Sequence, residues 1–369
     1  MENLQNKVWN RLHKSFSTDN IANAYIFSGP TGVGKENIAI QFAKLLNCEN
    51  PSRYSCQDCP SCLRVKKLQH ENLKLIFPLP APVNKNTSNL IDKKNIEVIN
   101  ELISKKADDG FFKIKVNGAN RILINSIRDL RKNIYLKSNN KKRKIILIFD
   151  SHFLSSGQGE AANSLLKLLE EPPKNTSFIL VTDHINRLLT TITSRCQNIT
   201  FPKLNNEFIK EWLSSNAEEI NDVPLFLGLS NGSMYLAKKI MLLGKKEIHN
   251  LINNTIKTLI SKDSSLWRNF TQIYFKLSKE DRSVFFLYLT ILKIWFQSTH
   301  RLTKNIKHPL HKTELKIGME LFTSRYKDVD YPKIILEIEN LERSVSQNLF
   351  IPLSLTYFIL KVQKNFNFR

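Results

Sequence analysis

The segment Ser28 to Gln41, SGPTGVGKENIAIQ, holds a Gly-x4-Gly-Lys core between an apolar run and a helix-like one. That order leaves few folds open: it predicts an α/β architecture, a parallel sheet with helices on its faces and the loop at the end of one strand. The chain has 11 glycines in 369 residues, about 3% against a usual ~7%. Even so, Gly29, Gly32 and Gly34 all fall in this loop. Glycines there let backbone N–H groups turn inward around phosphate oxygens, the helix N-terminus adds partial positive charge, and Lys35 reaches the outer phosphates. The next position normally carries a Ser or Thr hydroxyl for Mg²⁺, and here it is Glu36. A carboxylate beside a triphosphate repels it unless a metal bridges them, so the loop predicts a nucleotide-loop fold with a compromised hydrolytic site.

At this length the chain is expected to form two or three domains with cores of their own. The longest apolar run, Val284 to Phe296, has Lys293 inside it and falls short of the ~20 residues a membrane helix needs. It reads as a buried helix, and the chain as a cytoplasmic protein with no membrane partner. The formal charge of +22 suggests contact with a polyanion such as DNA, although a Lys- and Asn-rich, Gly-poor composition raises the charge on its own.

Along the chain, Trp9, Leu12 and Phe16 at helical spacing predict a short amphipathic helix. Ala24 to Phe27 is the first strand, and Ile38 to Leu46 the helix after the loop. Cys48, Cys56, Cys59 and Cys62 follow as C-x7-C-x2-C-x2-C. CxxC pairs deliver two sulfurs from one turn, and four thiolates close a tetrahedral Zn²⁺ site with no open position, so the site is structural. The zinc module is placed at about 48–70. From Phe77 to Asn120 the pattern lapses: PLPAPVNKNTSN is rich in Pro and Asn, with a helix-like segment from Lys93 to Lys106. This reads as an insertion without an assigned role. Ile124 to Leu136 is helix-like, and the cations of Lys141 to Lys144 after the turn Ser138-Asn139-Asn140 read as solvated.

Ile145 to Asp150, IILIFD, is a buried strand ending in an acid, the form of the residue that helps hold Mg²⁺ in P-loop ATPases. The following residue, where a water-polarising Glu is common, is Ser151. His152 is a conceivable substitute base, but a lone polar residue at a strand end reads as structural. A helix from Ala162 closes at Pro172-Pro173. Phe178 to Thr182 and a short stretch near Ile199 complete the strands.

The loop at Gly29 to Lys35, the four cysteines, the LLKLLEEPP run of Leu165 to Pro173 and Ser194-Arg195-Cys196 occur in this order over residues 20 to 202. Together they resemble the AAA+ clamp-loader ATPases of bacterial DNA polymerase III, and among them the delta-prime subunits. The resemblance implies that Arg195, with Ser194 and Cys196, presents an arginine finger to the nucleotide on a neighbouring subunit. It also implies that Glu36, Ser151 and Tyr235, the last in place of a phosphate-sensing Arg, set this chain apart from the active gamma and tau motors. The degenerate site would comprise Gly29, Gly32, Gly34, Lys35 and Asp150, with the binding of ATP or ADP left open. Implied partners are gamma/tau-like subunits, a delta subunit, a sliding clamp and primed DNA, in a hetero-oligomeric pentamer. The expected organisation is an AAA+ domain to residue 202, a helical lid over 203–244 and an all-α collar over 245–369. Two alternatives remain at this point: an active ATPase motor using Lys35 and Asp150, or a zinc-bearing module that binds nucleic acid through its own charge.

Overall fold

A computed structural model describes residues 5–81, 93–135, 142–347 and 349–366, which divide into two compact units, 1–204 and 205–369. The first unit runs α1 (Asn6–Ser17), β1 (Ala24–Ser28), α2 (Lys35–Asn47), α3 (Pro60–Lys66), β2 (Leu73–Ile76), α4 (Lys93–Asp108), α5 (Ile124–Asn133), β3 (Lys144–Ile148), α6 (Glu160–Glu170), β4 (Thr176–Thr182), α7 (Thr190–Thr193) and β5 (Gln197–Thr200). The five strands form one parallel sheet in the order β2-β3-β4-β1-β5. Helices cover both faces of such a sheet, so its strands read as continuous apolar runs rather than alternating ones. Every residue of β1 and of β4 is accordingly buried.

The core explains the LLKLLEEPP run. Leu165, Leu168 and Leu169 of α6 pack with Phe178 and Leu180 of β4 and Ile146 and Ile148 of β3. The helix ends at Glu170, just before Pro172-Pro173, because a residue preceding proline is driven out of the helical region. The sequence predicted no element from Cys59 to Phe77, yet α3, which carries Cys62, and β2 lie there. β2 has only four residues, too few for a legible pattern. The turn Ser138 to Asn140, Lys141 and most of the Pro- and Asn-rich stretch lie outside the described residues. The other cations of the basic run are not merely solvated: Lys142 donates to the Cys48 carbonyl, Arg143 to Ser177 Oγ at 2.9 Å and Lys144 to the Ile134 carbonyl at 2.8 Å.

The second unit is helical: α8 (Asn206–Asn216), α9 (Val223–Ser230), α10 (Met234–Leu243), α11 (Lys245–Ile260), α12 (Ser264–Glu280), α13 (Arg282–Thr303), α14 (Leu315–Arg325), α15 (Tyr331–Ser346) and α16 (Ile351–Gln363). The apolar run becomes the middle of α13, whose Phe285, Ile291, Trp295 and Phe296 are buried. Its Lys293 reaches Glu342 on α15 at 3.2 Å. Among the described residues no helix is long and apolar enough to cross a membrane.

In the parallel sheet the carboxyl ends of β1, β4 and β3 lie side by side, the edge at which α/β folds build their sites. Gly29, at the end of β1, has φ +143°, and a Cβ there would lie 2.4 Å from the Phe201 carbonyl oxygen. The neighbouring backbone is held by a 2.7 Å hydrogen bond from Phe201 N to Ser28 O, so it cannot withdraw. Gly29→Ala is expected to lower the unfolding free energy by roughly 2–3 kcal/mol, measured as a shift of the urea midpoint at unchanged m-value.

Candidate functional site

The glycine loop sits where the sequence put it, but Lys35 is turned back on its own protein. Its side chain, 3% exposed, makes a 2.7 Å ion pair with Asp183, the residue after β4, and donates to the Gly29 carbonyl at 2.8 Å. Burial lowers its pKa, an effect that Asp183 opposes. Asp183 Oδ2 also accepts from Lys113 Nζ at 2.5 Å and from Thr31 Oγ1 at 2.6 Å. Burial alone would raise the Asp183 carboxyl, but Lys113 and then Lys35 hold it far below the usual carboxylate range. Lys113 also reaches Asp150 at 3.2 Å. Desolvation works against its charge, yet Asp150 and Asp183 keep it protonated, well above an ordinary lysine.

Glu36 is engaged in the same way. It pairs with Lys106 near the end of α4, a lysine whose side chain is 0% exposed. That ammonium also donates to the carbonyls of Gly110 at 2.8 Å and Phe112 at 2.6 Å, so all three of its protons have acceptors. Gly110 lies so close to α2 that a Cβ would come within 2.6 Å of Asn37 Oδ1. The insertion therefore has a structural role that its sequence did not reveal. Its 106–113 stretch covers the glycine loop and supplies lysines to the acids there. The cavity left between Gly32, Gly34, Lys35, Gly110, Phe111 and Lys113 is about 20 Å³, room for one water against the ~300–1,000 Å³ of a ligand pocket.

His152 is not placed as a base. It is buried, contacts Thr182 Oγ1 through Nδ1 at 3.2 Å, and burial pushes its pKa down to about 4. Asp150 adopts a left-handed backbone, φ +46°, and its carboxylate pairs with Lys113. Ser151 is buried. Tyr235 belongs to the second unit, where Lys239 lies 5.1 Å from its ring centroid.

The sulfurs of Cys48, Cys56, Cys59 and Cys62 all lie within 4.8 Å of one another, with Cys48–Cys56 at 3.5 Å and Cys56–Cys62 at 3.9 Å. Zn–S bonds of ~2.3 Å in a tetrahedron put sulfurs about 3.8 Å apart, so the cluster fits one such ion. Backbone N–H groups of Cys56, Cys59 and Cys62 point at the sulfurs of Cys48, Cys56 and Cys59 at 3.2–3.4 Å, a donor set suited to thiolates. Cys196 is apart from the cluster, and burial pushes its thiol up to about 12.

Arg195 follows α7 and opens onto β5, the edge strand of the sheet. It is exposed, ion-paired with Glu170 at 2.8 Å, and its Nη1 donates to the Thr191 carbonyl at 2.9 Å. Ser194 Oγ donates to the Thr191 carbonyl at 3.1 Å.

The sequence profile of the family described as "DNA polymerase III, delta subunit" matches residues 4–205, more than half of the chain. The chain belongs to this clamp-loader family. Among its relatives, DNA polymerase III subunit delta' of Bacillus subtilis (strain 168) is 30% identical over 213 residues, 58% of this chain and 52% of that protein. DNA polymerase III subunit gamma of Buchnera aphidicola subsp. Schizaphis graminum (strain Sg) is 29% identical over 262 residues, 68% and 60% respectively, and subunit tau of Bacillus subtilis is 31% identical over 207 residues, 56% and 28%. The chain thus spans less than two thirds of the length of each. A gamma subunit-related protein of Thermotoga maritima aligns over 82% of this chain and 98% of its own, at 21% identity and a TM-score of 0.35. Delta', gamma and tau subunits match this family member at about equal identity.

Two predictions follow from the site. Protein purified under reducing conditions without chelator should carry one zinc per chain by elemental analysis, with Cys56→Ser lowering that content. Lys106→Met strands Glu36 and two carbonyls and should cost about 3–5 kcal/mol of stability, while Glu36→Leu/Lys106→Met should cost less than the single change. A double-mutant cycle in urea reads the coupling, and simple additivity would mean the pair is not coupled.

Proposed function

We propose that this chain is a delta-prime-like clamp-loader subunit that does not hydrolyse ATP and lends Arg195 to the nucleotide of a neighbouring motor subunit. The observation that carries the reading is the occupation of the glycine loop by the protein itself: Lys35 is bound to Asp183, Asp150 to Lys113, and Glu36 to Lys106. In a working site Lys35 would meet phosphate, and Asp150 and a hydroxyl would meet Mg²⁺. Here Glu36 stands in place of the metal-side hydroxyl, and the acids already have ammonium partners. Ser151 offers no carboxylate base.

The surroundings of Arg195 support the other half of the reading. An exposed ion pair such as Arg195–Glu170 is worth ~0–1 kcal/mol, so little opposes release of the guanidinium to a stronger acceptor. A planar, permanently charged fork donates two hydrogen bonds to phosphate oxygens in a way that lysine cannot. In this reading the cysteines hold one structural zinc, residues 203–244 act as a lid and 245–369 as the collar of a pentamer. The partners are gamma/tau-like motors, a delta subunit, a sliding clamp and primed DNA.

The isolated chain is expected to show no ATP turnover above background. In a reconstituted loader, Arg195→Ala should leave assembly intact and lower DNA-stimulated ATPase and clamp loading, with Arg195→Lys nearly as damaging. Trans-acting fingers contribute on the order of 10³-fold or more in GTPases; other sites in the loader carry their own fingers, so a smaller loss is expected here. Wild-type loading by both variants would reduce Arg195 to a structural residue. Turnover by the isolated chain that Lys35→Ala abolishes would favour a motor instead.

A further inference from the structure

A large cavity lies in the second unit, far in sequence from the glycine loop. It is an open cleft of about 1340 Å³ between the start of α12, the α14–α15 connection and the end of α16. Its lining has five cations, Lys262, Arg325, Lys327, Lys361 and Lys364, and one acid, Asp328. The whole chain has 55 Lys and Arg against 33 Asp and Glu, so the cleft concentrates positive charge well beyond the protein's average. Like charges gathered on a concave surface repel one another, and a bound polyanion relieves that repulsion.

The same walls present rings. Trp267, Tyr326 and Tyr357 line the cleft, and the cations stand beside them: Lys361 Nζ is 5.1 Å from the Tyr357 ring centroid and the Arg325 guanidinium 5.8 Å from that of Tyr326. Tyr357 is 52% exposed. The back of the cleft is fixed, because Trp267 Nε1 and Gln363 Nε2 both donate to the Ser261 carbonyl, at 2.8 and 2.7 Å. Charge alone would suit any polyanion, whereas cations interleaved with flat apolar faces suit one whose phosphates alternate with stackable bases. The volume exceeds the ~300–1,000 Å³ of small-molecule sites, and duplex bases, already stacked on each other, offer no free faces to these rings.

We infer that this cleft binds single-stranded nucleic acid, with Arg325, Lys327, Lys361 and Lys364 on phosphates and Tyr357 stacking on a base. The inference is independent of the reading of the glycine loop and of Arg195, none of whose residues lie in the cleft. The test is fluorescence anisotropy of a labelled oligo-dT titrated with the full chain over a salt series. Arg325→Ala/Lys327→Ala/Lys361→Ala/Lys364→Ala should weaken binding at least about tenfold and flatten the salt slope by roughly 3, from ~0.7 per phosphate contact on a single strand. Tyr357→Ala should weaken it roughly 5- to 100-fold at nearly unchanged salt slope. Removing four exposed cations elsewhere, at Lys67, Arg131, Lys132 and Lys210, should have a much smaller effect, and matching thermal melts would establish that each variant folds. Absence of binding, equal losses in the two quadruple variants, equal affinity for duplex, or displacement of the oligonucleotide by poly-glutamate as readily as by unlabelled oligo-dT would each overturn the inference.

Discussion

Asp183 is the residue on which the first unit's site depends. Its carboxylate accepts from Lys35, Lys113 and Thr31 at once, joining the glycine loop, the end of β4 and the segment after α4. Taking a charge out of water costs several kcal/mol unless it is paired and its remaining hydrogen-bonding capacity is filled. Both conditions are met here by the protein alone. The three acids at this edge, Glu36, Asp150 and Asp183, face the three ammonium groups of Lys106, Lys113 and Lys35. The glycine loop has the geometry of a phosphate cradle and the electrostatics of a closed core.

That arrangement sets the division of labour in the first unit. The loop edge is committed to holding the insertion in place, and the cysteine cluster pins the chain between α2 and β2 without involving the loop. On the opposite side of β1, β5 forms the sheet edge and Arg195 is exposed, paired with Glu170.

Much of this was legible from local spacing. The glycine loop, the strand shortly before Asp150, which ends at Ile148 rather than at the acid, and the four cysteines are short-range patterns whose chemistry follows from residue type and separation. Glu36 and Ser151 could be recognised as departures for the same reason. The partners that these acids take in the fold were not legible. Lys106 and Glu36 are 70 residues apart, as are Lys113 and Asp183, and nothing near either lysine marks it among the chain's many others. Asp183 had a usable signal: it follows a buried strand as Asp150 nearly does, and parallel pairing brings those strand ends together. In the insertion the helix-like segment from Lys93 to Lys106 was legible and is α4, but its role as a cover was not, because that rests on one close glycine contact and on lysines that reach distant acids. Strand β2 was missed because four residues carry no period.

Isothermal titration of the isolated, zinc-loaded chain with Mg-ATP and with ADP tests the central claim most directly. If the loop is satisfied by Lys106, Lys113 and Asp183, nucleotide must break buried ion pairs to enter, and no saturable binding should be seen into the millimolar range. Micromolar binding with a stoichiometry near one, lost in Lys35→Ala, would contradict the account, because the loop would then be a nucleotide site that its own lysines merely guard.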